Sequence, residues 1–205
     1  MDERGQGPWD LAEANLDDGV ERLDLGGLLV APADGVEVQV QIDEASGTVS
    51  QLTFTRGDAA VQVQPYAAPR SGGLWDDVRG QIRSSINSAG GLVEEADGPF
   101  GPELRAQVPS GDGTPTMQPA RFTGVEGPRW FLRSVFLGSA ARPGPSAEPL
   151  EALVRTLIVV RGFEAMPVGA PIPLRLPETA EPGAPASSRA YPSPFERGPE
   201  ITETR

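Results

Sequence analysis

Three side chains are missing from this 205-residue chain: it has no cysteine, no histidine and no lysine, so all 17 basic residues are arginine. Without thiols there is no disulfide, no thiolate nucleophile and no thiolate-ligated zinc or iron–sulfur site. Without imidazole, the usual ligands for zinc, copper and haem are gone, together with the best proton carrier near neutrality. A Ser–His–Asp triad cannot be assembled. Without an ε-amine there is no internal Schiff base and no complete Walker-type phosphate loop. Carboxylates, Arg, Tyr, Ser, Thr and oxygen-ligated Mg²⁺ or Ca²⁺ are what remain for catalysis. No residue stands out as catalytic, and no metal or cofactor site is expected.

The chain is also short of positive charge, with 29 acidic residues against 17 arginines and a net charge of -12. Phosphate contacts dominate nucleic-acid affinity and need a concentrated basic face, so nucleic acid is excluded as a primary partner. No apolar run approaches the roughly 20 residues that span a bilayer. The opening Met1-Asp2-Glu3-Arg4 lacks the basic-then-apolar pattern of an export signal. A cytoplasmic protein away from membranes is the expectation.

What is present divides the chain into three. Residues 1–20 are acidic, with Trp9 as their large anchor. Residues 21–176 carry the periodic patterns of a single α+β domain. Residues 177–205 are rich in Pro, Ala and charge, without periodicity, and read as a disordered tail. Within the domain, Val36, Val38, Val40 and Ile42 alternate with polar residues. Leu52-Thr53-Phe54 and Val61-Gln62-Val63 repeat the pattern around an Arg56-Gly57-Asp58 turn. Leu23 to Val30 reads as a strand bulged at Gly26-Gly27. Leu74, Val78, Ile82 and Ile86 form a helical stripe ended by Gly90-Gly91. Further strands are expected at Leu92-Val93, Leu104–Val108, Ala120–Val125 and Trp130–Leu137, with a loop around Asp112-Gly113. A second helix spans about Glu148 to Leu157, before a closing Ile158-Val159-Val160 strand. The prediction is a mainly antiparallel sheet of about eight strands with two helices on one face.

Two stretches offer surfaces for recognition. On a strand through Gly127-Pro128-Arg129-Trp130-Phe131-Leu132-Arg133, residues Arg129, Phe131 and Arg133 share one face. They would form a two-pronged clamp for a carboxylate or phosphate around an aromatic platform. The competing reading buries Trp130 and Leu132 and ties both arginines to neighbouring strands. Trp75, after Ser71-Gly72-Gly73, either caps such a pocket or staples the first helix to the sheet. Glu94, Glu95 and Asp97 lack the spacing of a calcium loop and suit a solvated sheet edge. The second stretch is the C-terminal peptide, Tyr191-Pro192-Ser193-Pro194-Phe195-Glu196 followed by Arg197, Gly198, Pro199, Glu200 and Ile201. Two aromatics and an isoleucine in a tail read as a docking motif that orders on a partner, or as a tail that is idle or folds back on its own domain.

Several of these segments occur together in one known family. Gly7-Pro8-Trp9-Asp10, Leu23-Asp24-Leu25-Gly26-Gly27-Leu28, Ala67-Ala68-Pro69 to Leu74-Trp75, Gly124 to Arg133, and Arg197-Gly198-Pro199-Glu200-Ile201-Thr202-Glu203 make the chain similar to an actinobacterial family of cytoplasmic proteins described as a domain of unknown function. The resemblance implies an actinomycete source and assigns no catalytic residue. The order of elements is similar to that of the Mog1/PsbP α+β sandwiches, a scaffold used for docking onto partners. The expectation is a non-catalytic protein-interaction domain with an unidentified protein partner, and a homodimer through a sheet edge as a further arrangement. The alternative is a small-anion binder, or a carboxylate and Mg²⁺ enzyme, using Arg129 and Arg133.

Overall fold

The computed structural model describes residues 7–42, 49–110 and 116–176. Its elements are β1 (Trp9–Asp10), β2 (Leu23–Asp24), β3 (Leu28–Val30), β4 (Glu37–Ile42), β5 (Val49–Arg56), β6 (Ala59–Ala67), α1 (Leu74–Ser88), β7 (Leu92–Gly98), β8 (Gly101–Pro109), β9 (Met117–Gly127), β10 (Trp130–Gly138), α2 (Glu148–Thr156) and β11 (Ile158–Val159). Seven strands form one antiparallel sheet in the order β4-β5-β6-β10-β9-β8-β7, and β1-β11-β3-β2 form a second, smaller sheet. The fold is α+β and mainly sheet.

Alternation builds the large sheet. Along β6 every second residue, from Ala59 through Val61, Val63 and Pro65 to Ala67, is buried. The β5–β6 hairpin closes on Gly57 and Asp58. Gly57, at φ 62°, takes the first central position of a two-residue turn, where a side chain would be strained. Strand β10 has apolar side chains on both faces. Trp130, Leu132 and Phe136 pack with Leu52, Phe54, Val61 and Val63 against the small sheet and Leu150, Leu153 and Val154 of α2. Phe131 and Val135 point the other way, packing with Leu104, Phe122 and the Trp75, Ile82 and Ile86 stripe of α1.

The two helices therefore lie on opposite faces of the sheet, which corrects the expectation of helices on one face. The reason is β10 itself, since a strand apolar on both sides must be covered on both. Among the described residues the mainly antiparallel architecture is carried by a sheet of seven strands, with four short strands forming the second sheet beside it. The glycines after Leu25 do not bulge a strand either. Leu23 and Asp24 pair antiparallel with Val30 and Leu29, so the chain reverses there, with the Asp24 carboxylate accepting the Gly26 amide at 2.8 Å.

The ends of the described chain are tied in. β1 pairs parallel with β11, and Asp10 Oδ2 accepts the Trp130 indole N–H at 2.8 Å. The second half of β6, which β5 does not reach, exchanges backbone hydrogen bonds with residues 169–172. The Arg175 amide then bonds to the Leu25 carbonyl at 2.8 Å, leaving Arg175 and Leu176 beside the small sheet.

Candidate functional site

Of the four candidates, Arg129, Phe131 and Arg133 with Trp75, the structure brings three together and sends Arg129 elsewhere. Phe131 is buried between the rings of Trp75 and Tyr66, with centroids 5.7 and 6.0 Å away. The Arg133 guanidinium lies over Tyr66 at 5.3 Å. Burial raises the Tyr66 phenol above its ordinary range, against the opposing pull of Arg133. Trp75 is buried, and its indole N–H donates to the Pro102 carbonyl at 2.7 Å, which fixes α1 to β8. Gly124 lies under both rings, and a Cβ there would sit 2.5 Å from each. Arg129 is not in the strand at all. It occupies the β9–β10 turn at φ 64°, and its Nη2 donates to the Gly162 carbonyl at 2.8 Å. A clamp of Arg129 and Arg133 over Phe131 is not formed, because the turn takes Arg129 out of the strand's alternation.

The carboxylates most deeply placed are all paired. Arg121, fully buried on β9, donates to Glu103 at 3.2 Å and Glu151 at 2.6 Å, with its guanidinium over the Phe136 ring at 4.2 Å. Arg105 donates to Glu103 at 2.8 Å and completes a chain of two cations and two anions. Such a chain holds β8, β9 and α2 in one arrangement. On β7, Glu95 pairs with Arg83 and with Arg79 of α1, the latter at 3.4 Å. Among the described residues no group of three acids is placed to hold a metal ion.

Glu126 shows what local sequence reading misses. Its carboxylate accepts the amides of Gly73, Leu74 and Trp75 at 3.0, 2.7 and 3.3 Å. An acid on β9 therefore caps a helix some fifty residues earlier, where the N-cap residue is Gly73 and has no side chain.

The open features lie at the β4 edge. The opposite edge, β7, carries Glu94, Glu95 and Asp97, charges that discourage pairing. β4 carries only Glu37 among neutral residues, with Val38 and Ile42 exposed at 40% and 43%. Which backbone groups face outward follows from the hairpin. Arg56 and Ala59 flank its two-residue loop and bond to each other, so Thr53 and Thr55 bond towards β4 at Gln39 and Glu37. The N–H and C=O groups of Val38 and Val40 then point away from the sheet, and no described strand takes them. Below this edge runs a groove of about 780 Å³, with Val30, Val36 and Val38 on its apolar side and Glu21, Arg22, Asp24 and Arg175 on its polar side. Arg22 is held by a two-pronged bond to Asp18, which lowers that carboxyl from 3.8 to about 2. Leu176, the last described residue, lines the same groove.

A family model described as a protein of unknown function, DUF3710, matches residues 7–182. The chain belongs to this family. No curated protein and no solved structure matches it. Several of the segments singled out in the sequence of this DUF3710 chain are joints of its fold. Trp9-Asp10 locks onto β11 and Trp130, Asp24 holds the turn before Leu28, and Trp130 packs its ring over Gly127. The C-terminal peptide with Arg197, Gly198, Pro199, Glu200 and Ile201 lies outside the described residues, as does the Asp112-Gly113 loop. No described helix is long and apolar enough to cross a membrane.

Proposed function

We propose that this DUF3710 chain is a non-catalytic protein-interaction module that docks an extended peptide along β4 and into the groove beneath it. In the free chain the occupant is its own C-terminal segment, Tyr191 to Ile201. The single observation behind this reading is the contrast between the two sheet edges. β7 is guarded by acids, while β4 presents Val38 and Val40 with backbone groups that no described strand takes, beside a groove lined by both apolar and charged residues. Adding a strand to an exposed edge is a general way to bind a peptide, with main-chain bonds giving affinity and alternate side chains giving specificity.

The choice of occupant follows from where the chain leaves the groove. Leu176 is part of the wall, and the remaining residues to Arg205 are tethered there. A short tether gives an effective concentration of about millimolar, so even weak contacts suffice. Tyr191, Phe195 and Ile201 supply apolar side chains for the floor. Arg197 and Glu200 match the mixed charges of Glu21, Asp24 and Arg175. A partner protein would act by displacing this segment and engaging either the edge or the freed peptide.

The test is a photo-crosslinker, p-benzoylphenylalanine, in place of Val38 in the full chain. Mass spectrometry should find intramolecular crosslinks to residues 191–201. Crosslinks confined to other segments would refute the assignment.

A further inference from the structure

The turn that removes Arg129 from β10 places it beside another arginine. Pro128 and Arg129 are the two central residues between β9 and β10, and φ at Arg129 is 64°. Proline followed by a left-handed residue is the pattern of a type II turn, whose second position strongly favours glycine. Arg129 is the one described non-glycine residue at positive φ. Backbone strain of this kind gathers at binding and active sites.

The surroundings show what the arginine does there. The Arg129 carbonyl accepts the Ala68 amide at 2.9 Å and Arg161 Nε at 3.1 Å. Arg129 Nη2 reaches the Gly162 carbonyl, and Arg161 Nη1 reaches the Glu164 carbonyl at 3.1 Å. Each guanidinium is thus fixed by the other's segment through neutral carbonyls. The described ion pairs involve Arg22, Arg79, Arg83, Arg105 and Arg121, and neither of these two arginines. Two like charges are held together with no carboxylate paired to either among the described residues, in a chain of net charge -12. Burial, and then the neighbouring Arg129, hold the Arg161 guanidinium below its usual range. An arginine has five N–H donors, of which Arg129 spends one and Arg161 two on these carbonyls. Both side chains are only partly buried, so the remaining donors are open to a ligand. Between the two accepting carbonyls sits Phe163, a fully exposed ring.

We propose that Arg129 and Arg161 form a binding site for an oxyanion, a phosphate or carboxylate group, on a ligand whose body rests on Phe163. Guanidinium groups fixed in advance suit paired hydrogen bonds to either group. The site shares no residue with the β4 groove and does not depend on the peptide reading.

The experiment is an NMR titration of the full chain with inorganic phosphate and, separately, with benzoate. Saturable shifts of the amides of Arg129, Arg161, Gly162 and Phe163 are expected with at least one probe, at a Kd of about millimolar or tighter. The probe that saturates first identifies the group. Arg161→Gln should weaken binding by about tenfold or more, the loss of one charged hydrogen-bonding partner. Arg129→Gly should weaken it similarly while keeping the melting temperature at or above that of the natural chain, because glycine suits the turn. If Arg129→Gly unfolds, Arg161→Gln still decides. No saturation by either probe up to about 50 mM, or undiminished binding in Arg161→Gln, would overturn the proposal.

Discussion

Replacing Arg121 with methionine tests whether the buried charge chain is a structural lock. The Arg121 side chain is fully buried, contacts Glu103 and Glu151, and covers Phe136. Methionine fills much of the same space but leaves Glu151 without its described ion-pair partner and Glu103 with Arg105 alone. Removing one member of a buried pair costs about 3–5 kcal/mol, where a whole domain is stable by about 5–15. For a domain of this size that corresponds to a fall in melting temperature of roughly 6–20 °C. Chemical and thermal unfolding followed by tryptophan fluorescence measure it. Adding Glu151→Leu to Arg121→Met should recover at least half of the loss, because an apolar replacement removes the stranded charge.

A single-variant cost under about 1 kcal/mol, or a double variant losing the sum of both changes, would refute the reasoning.

Three further outcomes are expected. Glu126→Ala removes the acceptor of the Gly73, Leu74 and Trp75 amides at the start of α1 and should cost about 1–2 kcal/mol in thermal unfolding. Gly124→Ala forces a Cβ against Trp75 and Phe131 and should cost about 1–3 kcal/mol by the same measurement. Asp18 should titrate near 2 in carboxyl-detected NMR. Its folded pKa is depressed, so its contribution is present above about 3.8 and is lost as pH falls through about 2. Asp18→Asn should erase that part of the acid profile.

Much of the fold was legible because its long strands and helices carry clean periods. The Val61-Gln62-Val63 alternation, the Leu74, Val78, Ile82, Ile86 stripe and the Arg56-Gly57-Asp58 turn each fall in the predicted element, the first within the longer strand Ala59–Ala67. The small sheet was legible only in part: the closing strand at Ile158–Val159 is expected from the sequence, but Leu23 to Val30 reads there as one strand, and Trp9–Asp10 is too short to show a period. The site was less readable still. Arg121 on a strand reads as outward-facing until α2 delivers Glu151 to it. Arg129 meets Arg161 only through a turn with an unusual φ, and nothing local connects the two. The groove belongs to no single segment, since residues 21–38 form it with Leu153, Arg175 and Leu176.

Hydrogen–deuterium exchange at two backbone amides bears most directly on the peptide-docking account. In the full chain, the Val38 and Val40 amides should exchange slowly, because the C-terminal segment accepts them. They should exchange fast once Tyr191, Phe195 and Ile201 are all replaced by serine. Fast exchange at both amides in the unaltered chain, or equal protection in both chains, would contradict it.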